Sequence, residues 1–236
     1  MAGTKTMVKT GTLYGVGVGP GDPELMTVKA WRLISTADVI AYLCANGKDS
    51  TARDIAMPFL PESVLEIAID MPMRVEREPA QKAYDQGAEE IASQLNRGQD
   101  VVMLCEGDPF FYGSFMYIFE RLSGKYNTVV VPGVTSITAA AAAIGQPLVS
   151  RDEMLKILPA TLPEDRLHFE LATSQAVAII KVGRHFGKLK LILAELGLLS
   201  KATAIEYATH ENQKITAVET IEGDTLPYFT TIIVRN

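Results

Sequence analysis

The chain is poor in the residues that usually announce chemistry. It has two cysteines, three histidines and one tryptophan among 236 residues. Cys44 and Cys105 show no metal-ligand spacing and no disulfide-rich setting, so both read as reduced thiols of a cytoplasmic protein. His168, His185 and His210 are scattered. No pair of them has metal spacing, and none joins a serine and an acid at a nucleophile turn, so neither a metal site nor a Ser/His/Asp hydrolase is expected. A P-loop is missing, which argues against phosphoryl transfer. No apolar run is long enough to span a bilayer. Met1–Thr10 lacks an apolar centre, so it does not read as a secretory signal. Positive charge is in deficit as well: 22 Lys and Arg against 28 Asp and Glu give a net charge of −6. A nucleic-acid surface needs a cationic excess to displace counterions, so that class of partner is not expected. Low-complexity tracts and internal repeats are absent too.

What remains is an ordinary folded composition, 47% hydrophobic, in a length that suits one large domain or two small ones. Short apolar runs rich in β-formers alternate with longer helical patterns. The expected strands are 12–18, 39–43, 64–69, 101–104, 128–131, 176–180, 203–207, 214–218 and 229–234. The expected helices are 25–36, 51–57, 79–96, 115–122, 134–144, 163–171 and 186–198. Such alternation predicts βαβ units and mainly parallel sheets. The last three strands have no helices between them, which predicts an antiparallel end to a second sheet. The turn Ser123-Gly124-Lys125 divides the chain into an expected N-terminal α/β domain, 1–123, and a C-terminal one, 124–236. The alanine run Ala139–Ala143 reads as a close-packing helix face.

Three loops carry the chemical signal. The first is Gly15-Val16-Gly17-Val18-Gly19-Pro20-Gly21-Asp22-Pro23, after a strand and before a helix. A dinucleotide fingerprint would need its third glycine where Pro20 stands, and proline has no N–H for a pyrophosphate. Glu24 also reads as an acid near the N-terminus of the following helix. The second loop, Cys105-Glu106-Gly107-Asp108-Pro109-Phe110-Phe111-Tyr112-Gly113-Ser114, joins the apolar run Val101–Leu104 to a helix-like run. Strand, tight turn and helix form the place where an open α/β sheet offers backbone groups to a ligand. The plainer reading is a turn in which Asp108 caps the helix. The third, Val131-Pro132-Gly133-Val134-Thr135-Ser136, leads into the alanine-rich helix. Thr135 or Ser136 can cap that helix, and small residues there also suit contact with the edge of an adenine.

In this order and spacing the trio resembles the tetrapyrrole (class III) methyltransferases, which use S-adenosylmethionine. The resemblance covers nearly the whole chain. The segments GDPFFYGSFMY (107–117), VPGVTSITAAAAAIGQPLVSRD (131–152) and IKVGR (180–184) are similar to the branch that methylates precorrin-2 at C20 in corrin biosynthesis. The same reaction on a cobalt-loaded ring is the alternative; a nicotinamide-dependent oxidoreductase and a noncatalytic tetrapyrrole carrier are more distant ones. The family implies two α/β domains with mixed sheets, an active-site cleft between them, and a homodimer. Carried over by motif, Pro20, Glu106, Gly107, Asp108, Phe111, Thr135, Ser136 and Lys181 would bind the cofactor, leaving S-adenosylhomocysteine as product. Tyr112, Asp22 and Glu24 are the candidate catalytic groups. A reduced tetrapyrrole with acetate and propionate arms is anionic, and arginine forks match carboxylates. Arg53, Arg74, Arg77, Arg151 and Arg184 form the candidate pool for those arms. Relatives acting on uroporphyrinogen carry an aspartate after the tyrosine that ends the second strand. Here Leu43 follows Tyr42, so no base is assigned by motif.

Overall fold

Side-chain alternation along the strands decides which helix covers which face. A computed structural model describes residues 9–45, 50–72 and 77–235. In chain order the first elements are β1 (Leu13–Gly17), α1 (Val28–Ser35), β2 (Val39–Ala45), α2 (Thr51–Ala56), β3 (Leu65–Met71), α3 (Arg77–Asn96), β4 (Val101–Cys105), α4 (Phe115–Leu122) and β5 (Thr128–Val131). Their strands form one sheet in the order β3-β2-β4-β1-β5, and every pairing in it is parallel. All of β4 is buried, which explains why a central parallel strand reads as an unbroken apolar run. Val101, Met103 and Cys105 pack with Ile91 and Leu95 of α3 and with Phe115 and Ile118 of α4. Val102 and Leu104 point the other way, against Ala30 and Ile34 of α1 and Ala52 and Ile55 of α2. The sheet is therefore sandwiched, with α1 and α2 on one face and α3 and α4 on the other.

The helices start where short polar side chains cap them. Thr27 Oγ1 accepts from the Ala30 N–H at 3.2 Å, and Ser50 Oγ accepts from Arg53 N–H at 3.3 Å. Thr27 also explains a departure from the expected 25–36 helix. A 3-10 turn covers Pro23–Leu25, and the α-helix begins afresh at Val28.

The remaining elements are α5 (Ser136–Ala143), β6 (Leu155–Pro159), α6 (Glu164–Ala172), β7 (Ala176–Ile180), α7 (Phe186–Glu195), β8 (Ala202–Glu206), β9 (Lys214–Ala217) and β10 (Thr230–Arg235). Their sheet runs β6-β7-β10-β8-β9. Only β6 and β7 pair in parallel; the other neighbours are antiparallel. The antiparallel end predicted from the missing helices is present. Ile232 and Val234 of β10 face Leu167 and Leu171 of α6 and Phe186, Leu189 and Leu193 of α7. Ile233, between them in sequence, packs with Ala139, Ala140 and Ala141 of α5, so the alanine run is a packing face.

Strand β6 has no counterpart among the expected strands. It lies at a sheet edge, and Lys156 interrupts its apolar run; that lysine reaches Glu170 of α6 at 2.6 Å. The contacts divide the chain into units ending and starting at Thr135 and Ser136. This division falls later than the expected boundary after Ser123, because β5 pairs with β1 in the first sheet. The first sheet is wholly parallel and only the second is mixed, whereas the resemblance implied mixed sheets in both.

Candidate functional site

The first sheet sends its chain in two directions. From β1 the chain crosses to β2 on one side, and from β4 it crosses to β5 on the other. Between such neighbours, at their C-terminal ends, an open parallel sheet leaves a crevice for ligands. The first loop follows β1 at this point and the second follows β4.

The loops are tied by main-chain contacts. Val18 N–H donates to Cys105 O at 2.9 Å, Gly107 N–H to Gly19 O at 2.8 Å, and Gly19 N–H to Gly107 O at 3.4 Å. Gly19 and Gly107 thus form an antiparallel bridge just past two parallel strands, with φ of 84° and 60° that only glycine adopts without cost. The third loop closes on them. A Cβ on Gly133 would lie 2.0 Å from Gly107 O, and one on Gly17 would lie 2.5 Å from the same oxygen. Gly17, Gly107 and Gly133 therefore meet backbone to backbone, with no room for a methyl group on Gly17 or Gly133.

Asp108 holds that junction. Its Oδ1 accepts from the Phe110 N–H at 2.9 Å and its Oδ2 from the Gly133 N–H at 3.0 Å. From sequence its carboxylate was expected to face a ligand at the turn apex. The structure turns both oxygens onto main-chain donors, so Asp108 ties the second loop to the third. After it, Tyr112 sits at a φ of 55°, with its ring edge-on to Phe111 at 5.3 Å. Left-handed backbone at a non-glycine residue costs about 1–2 kcal/mol and tends to gather at working sites.

Glu106 is the first residue past β4. Burial among neighbouring atoms pushes its carboxyl up to about 7, against hydrogen bonds from the Thr51 hydroxyl and the Ala52 N–H that pull it down. The residue as a whole stays exposed, so water solvates part of the carboxylate and about 7 is a ceiling. Burial also pushes the neighbouring Cys105 thiol well up, with Glu106 adding to the effect. That cysteine is an inert core residue.

Other candidates are dispersed. Pro20 is half-buried on the first loop. Asp22 Oδ1 accepts from the Glu24 N–H at 2.8 Å and caps the 3-10 turn. Glu24 is exposed, at the rim of a cavity of about 210 Å³ walled by Trp31, Phe59, Met26 and Val28. Thr135 and Ser136 are half-buried where the third loop meets α5. Leu43 lies partly buried beside the core under α3.

Of the arginine pool, Arg53 is already committed. Its Nε and Nη2 grip the two Glu66 oxygens at 2.7 and 2.8 Å, and Tyr42 OH donates to Glu66 Oε2 at 2.7 Å. Arg53 holds the Glu66 carboxyl below the ordinary range. Burial, with help from Glu66, pushes the Tyr42 phenol up to about 12. Arg74 and the side chain of Arg77 lie outside the described residues.

In the second unit Arg151 is exposed, with a φ of 49°. Glu153 steadies that turn by accepting from the Ser150 N–H at 2.8 Å and pairing with Arg235 at 2.9 Å. Lys181 follows β7 with a φ of 56°. Arg184 is exposed in the next turn, Gly183–His185. Burial, then Lys188 and Arg184, holds His185 below its usual range. Among the described residues no helix is long and apolar enough to cross a membrane, and no cluster of His, Cys, Asp and Glu could hold a metal ion.

The profile of the Tetrapyrrole (Corrin/Porphyrin) Methylases matches residues 12–222. A Precorrin-2 C(20)-methyltransferase of Sinorhizobium sp is 37% identical over 235 residues, covering 96% of each chain. The Cobalamin biosynthesis protein CobIJ of Mycobacterium bovis is 42% identical over 231 residues, 94% of this chain and 46% of that protein. The chain thus spans about half the length of the mycobacterial relative. In structure it is similar to the uroporphyrin-III C-methyl transferase of Thermus thermophilus solved with S-adenyl homocysteine, with a TM-score of 0.70, 22% identity, and coverage of 95% and 92% of the two chains. With a profile match across both units, the chain belongs to the tetrapyrrole methylase family.

Proposed function

We propose that this chain transfers a methyl group from S-adenosylmethionine to C20 of precorrin-2, giving precorrin-3A in corrin biosynthesis. The observation that carries the reading is the meeting of Gly17, Gly107 and Gly133 at the C-terminal ends of the first sheet, in a chain whose full-length relative at 37% identity bears that activity in its name.

The junction fits such a ligand. Glycines let a ribose and an amino-acid moiety approach the main chain closely, and half-buried Phe111 offers an aromatic face beside the second loop. Pro20, Glu106, Gly107 and Phe111 are the proposed contacts on the first two loops, with Asp108 holding them in place. Thr135, Ser136 and Lys181 are proposed as further contacts. When bound, S-adenosylmethionine supplies a methyl already activated on a sulfonium sulfur. The protein's part is then to align an electron-rich ring carbon with that methyl and to exclude water. No nucleophile is needed, in keeping with a chain whose cysteine at the site is buried and inert.

The substrate's carboxylate arms need cations. With Arg53 bound to Glu66, the proposed contacts are Arg151 and Arg184, each exposed. Arg74 and Arg77 stay in the pool. A homodimer working in the cytoplasm completes the proposal, supported by family resemblance. Light scattering reads the oligomer directly.

The deciding experiment supplies precorrin-2 and S-adenosylmethionine labelled with carbon-13 in the methyl, then locates the label by NMR. Label at C20 is expected. Label at another ring carbon, or protein that takes up no S-adenosylhomocysteine in calorimetry, overturns the reading. Running the cobalt-loaded ring in parallel distinguishes the two substrates by rate.

A further inference from the structure

We infer that Glu106 is the proton acceptor of this methylation, taking the hydrogen displaced from the ring carbon that receives the methyl. The inference rests on the functional reading above. Such a step is required, because C20 carries a hydrogen before transfer that the methylated bridge, its conjugation restored, no longer holds.

Position is the first argument. Glu106 stands one residue beyond β4, at the mouth of the crevice between β4 and β1. Alternation sends Val102 and Leu104 to the α1/α2 face, and Glu106 follows them. Its carboxyl meets the Thr51 hydroxyl and the Ala52 N–H at the start of α2. These donors orient the group while the residue keeps an exposed side.

Protonation chemistry is the second. The carboxyl titrates toward neutrality, up to about 7, where a general base works best. The charged groups on surrounding segments are Asp22 and Glu24 on the first loop, Asp108 on the second, and Arg53 and Asp54 on α2. None of them contributes to the Glu106 shift, whose causes are burial, Thr51 and Ala52. The other carboxylates are also worse placed. Both Asp108 oxygens accept main-chain N–H groups, Asp22 caps its own turn, and Glu24 lies at the rim of an apolar cavity.

The step balances without further reagents. The ring carbon's electron pair forms the new C–C bond as the S–CH3 bond breaks, leaving that bond's pair on sulfur as a neutral thioether. The ring then carries one positive charge. Breaking C20–H returns the bonding pair to the ring, and the proton moves to the Glu106 carboxylate. Water takes the proton afterwards.

A single turnover with S-adenosylmethionine and precorrin-2 separates the two bond changes. Quenched samples report S-adenosylhomocysteine, and absorbance reports the finished chromophore. In the parent protein the spectral phase gains rate as pH rises toward 7, as the carboxylate forms. With Glu106→Gln, S-adenosylhomocysteine forms at the parent rate, while the chromophore lags by about 10²–10⁴-fold. The pH dependence disappears, and deuterium at C20 slows the lagging phase further. Glu106→Asp recovers part of the rate. Both variants are run at S-adenosylmethionine concentrations that calorimetry shows to be saturating, because Glu106 is also a proposed cofactor contact. Equal slowing of both signals, or of neither, overturns the inference. Failure of the parent protein to form any S-adenosylhomocysteine from precorrin-2 overturns instead the functional reading itself.

Discussion

The two units cover sheets of five strands each in opposite styles. In the first, every pairing is parallel, so each strand ends at the same edge and the loops after β1, β4 and β5 arrive together. Glycine backbone and one aspartate hold that junction. In the second, antiparallel pairing sends turns to both edges, and charged networks hold the turns and helices. Glu170 is buried between Lys156 and Arg166, and Arg235 reaches Glu153. Parallel topology gathers main-chain ligand groups at one edge. Ion pairs hold parts of the first unit too, as at Arg53 and Glu66, but the loops at its sheet edge meet through main chain. Substitutions should therefore hurt binding in the first unit and stability in the second.

The harshest test is Gly133→Ala. The new methyl would sit 2.0 Å from a main-chain oxygen, so a loop has to move. A shift of about 1 Å is enough for a loss of roughly 100-fold in methyl-transfer rate, and S-adenosylhomocysteine affinity by calorimetry should fall with it. Unchanged binding would break the contrast at its strongest point. Next, Asp108→Ala removes two hydrogen bonds made by a charged group. Losing one such bond costs roughly 1.5–3 kcal/mol, or about tenfold or more in affinity. Hydrogen exchange at the Gly133 amide should quicken in step. Weakened binding with that amide still protected would mean that Asp108 touches the ligand itself.

Glu170→Gln should leave affinity alone and lower the thermal midpoint. Lys156 holds the Glu170 carboxyl below its ordinary range. Its stabilisation is thus present in full above the unfolded-state value and is lost as pH falls through the lowered folded one. The variant's melting temperature should accordingly fall less on acidification. The smallest expected effect is at Lys181, whose φ is 56°. Lys181→Gly relieves left-handed strain of about 1 kcal/mol, so chemical denaturation should show a slight gain in stability, with a loss of S-adenosylhomocysteine affinity. A gain in both would remove Lys181 from the site.

How much of this was legible follows from the kind of contact involved. Apolar runs and caps are local, so β4, β7, α4 and the antiparallel end of the second sheet stood in the sequence nearly to the residue. The three loops were visible as well, because glycine and proline punctuate strand ends. Their three-way junction was not, since residues 17, 107 and 133 carry no mark of touching one another. The hold of Asp108 on the Phe110 and Gly133 N–H groups is not legible, as sequence shows an acid at a turn and not which N–H it meets. Arg53 stands in the candidate pool because its fork suits carboxylates; its grip on Glu66, far from it in sequence and next to it in space, is not legible. Strand β6 escaped notice because a lysine broke its pattern, and only Glu170 explains that lysine.

The junction also has a consequence for synthesis on the ribosome. Its parts come from positions 17, 107 and 133, so no early piece of the nascent chain contains the binding edge. The first strand must wait, paired or idle, until nearly the whole first unit has emerged. A chain arrested before Gly133 would carry a sheet lacking its last loop, so the proposed binding edge would take shape only late and all at once.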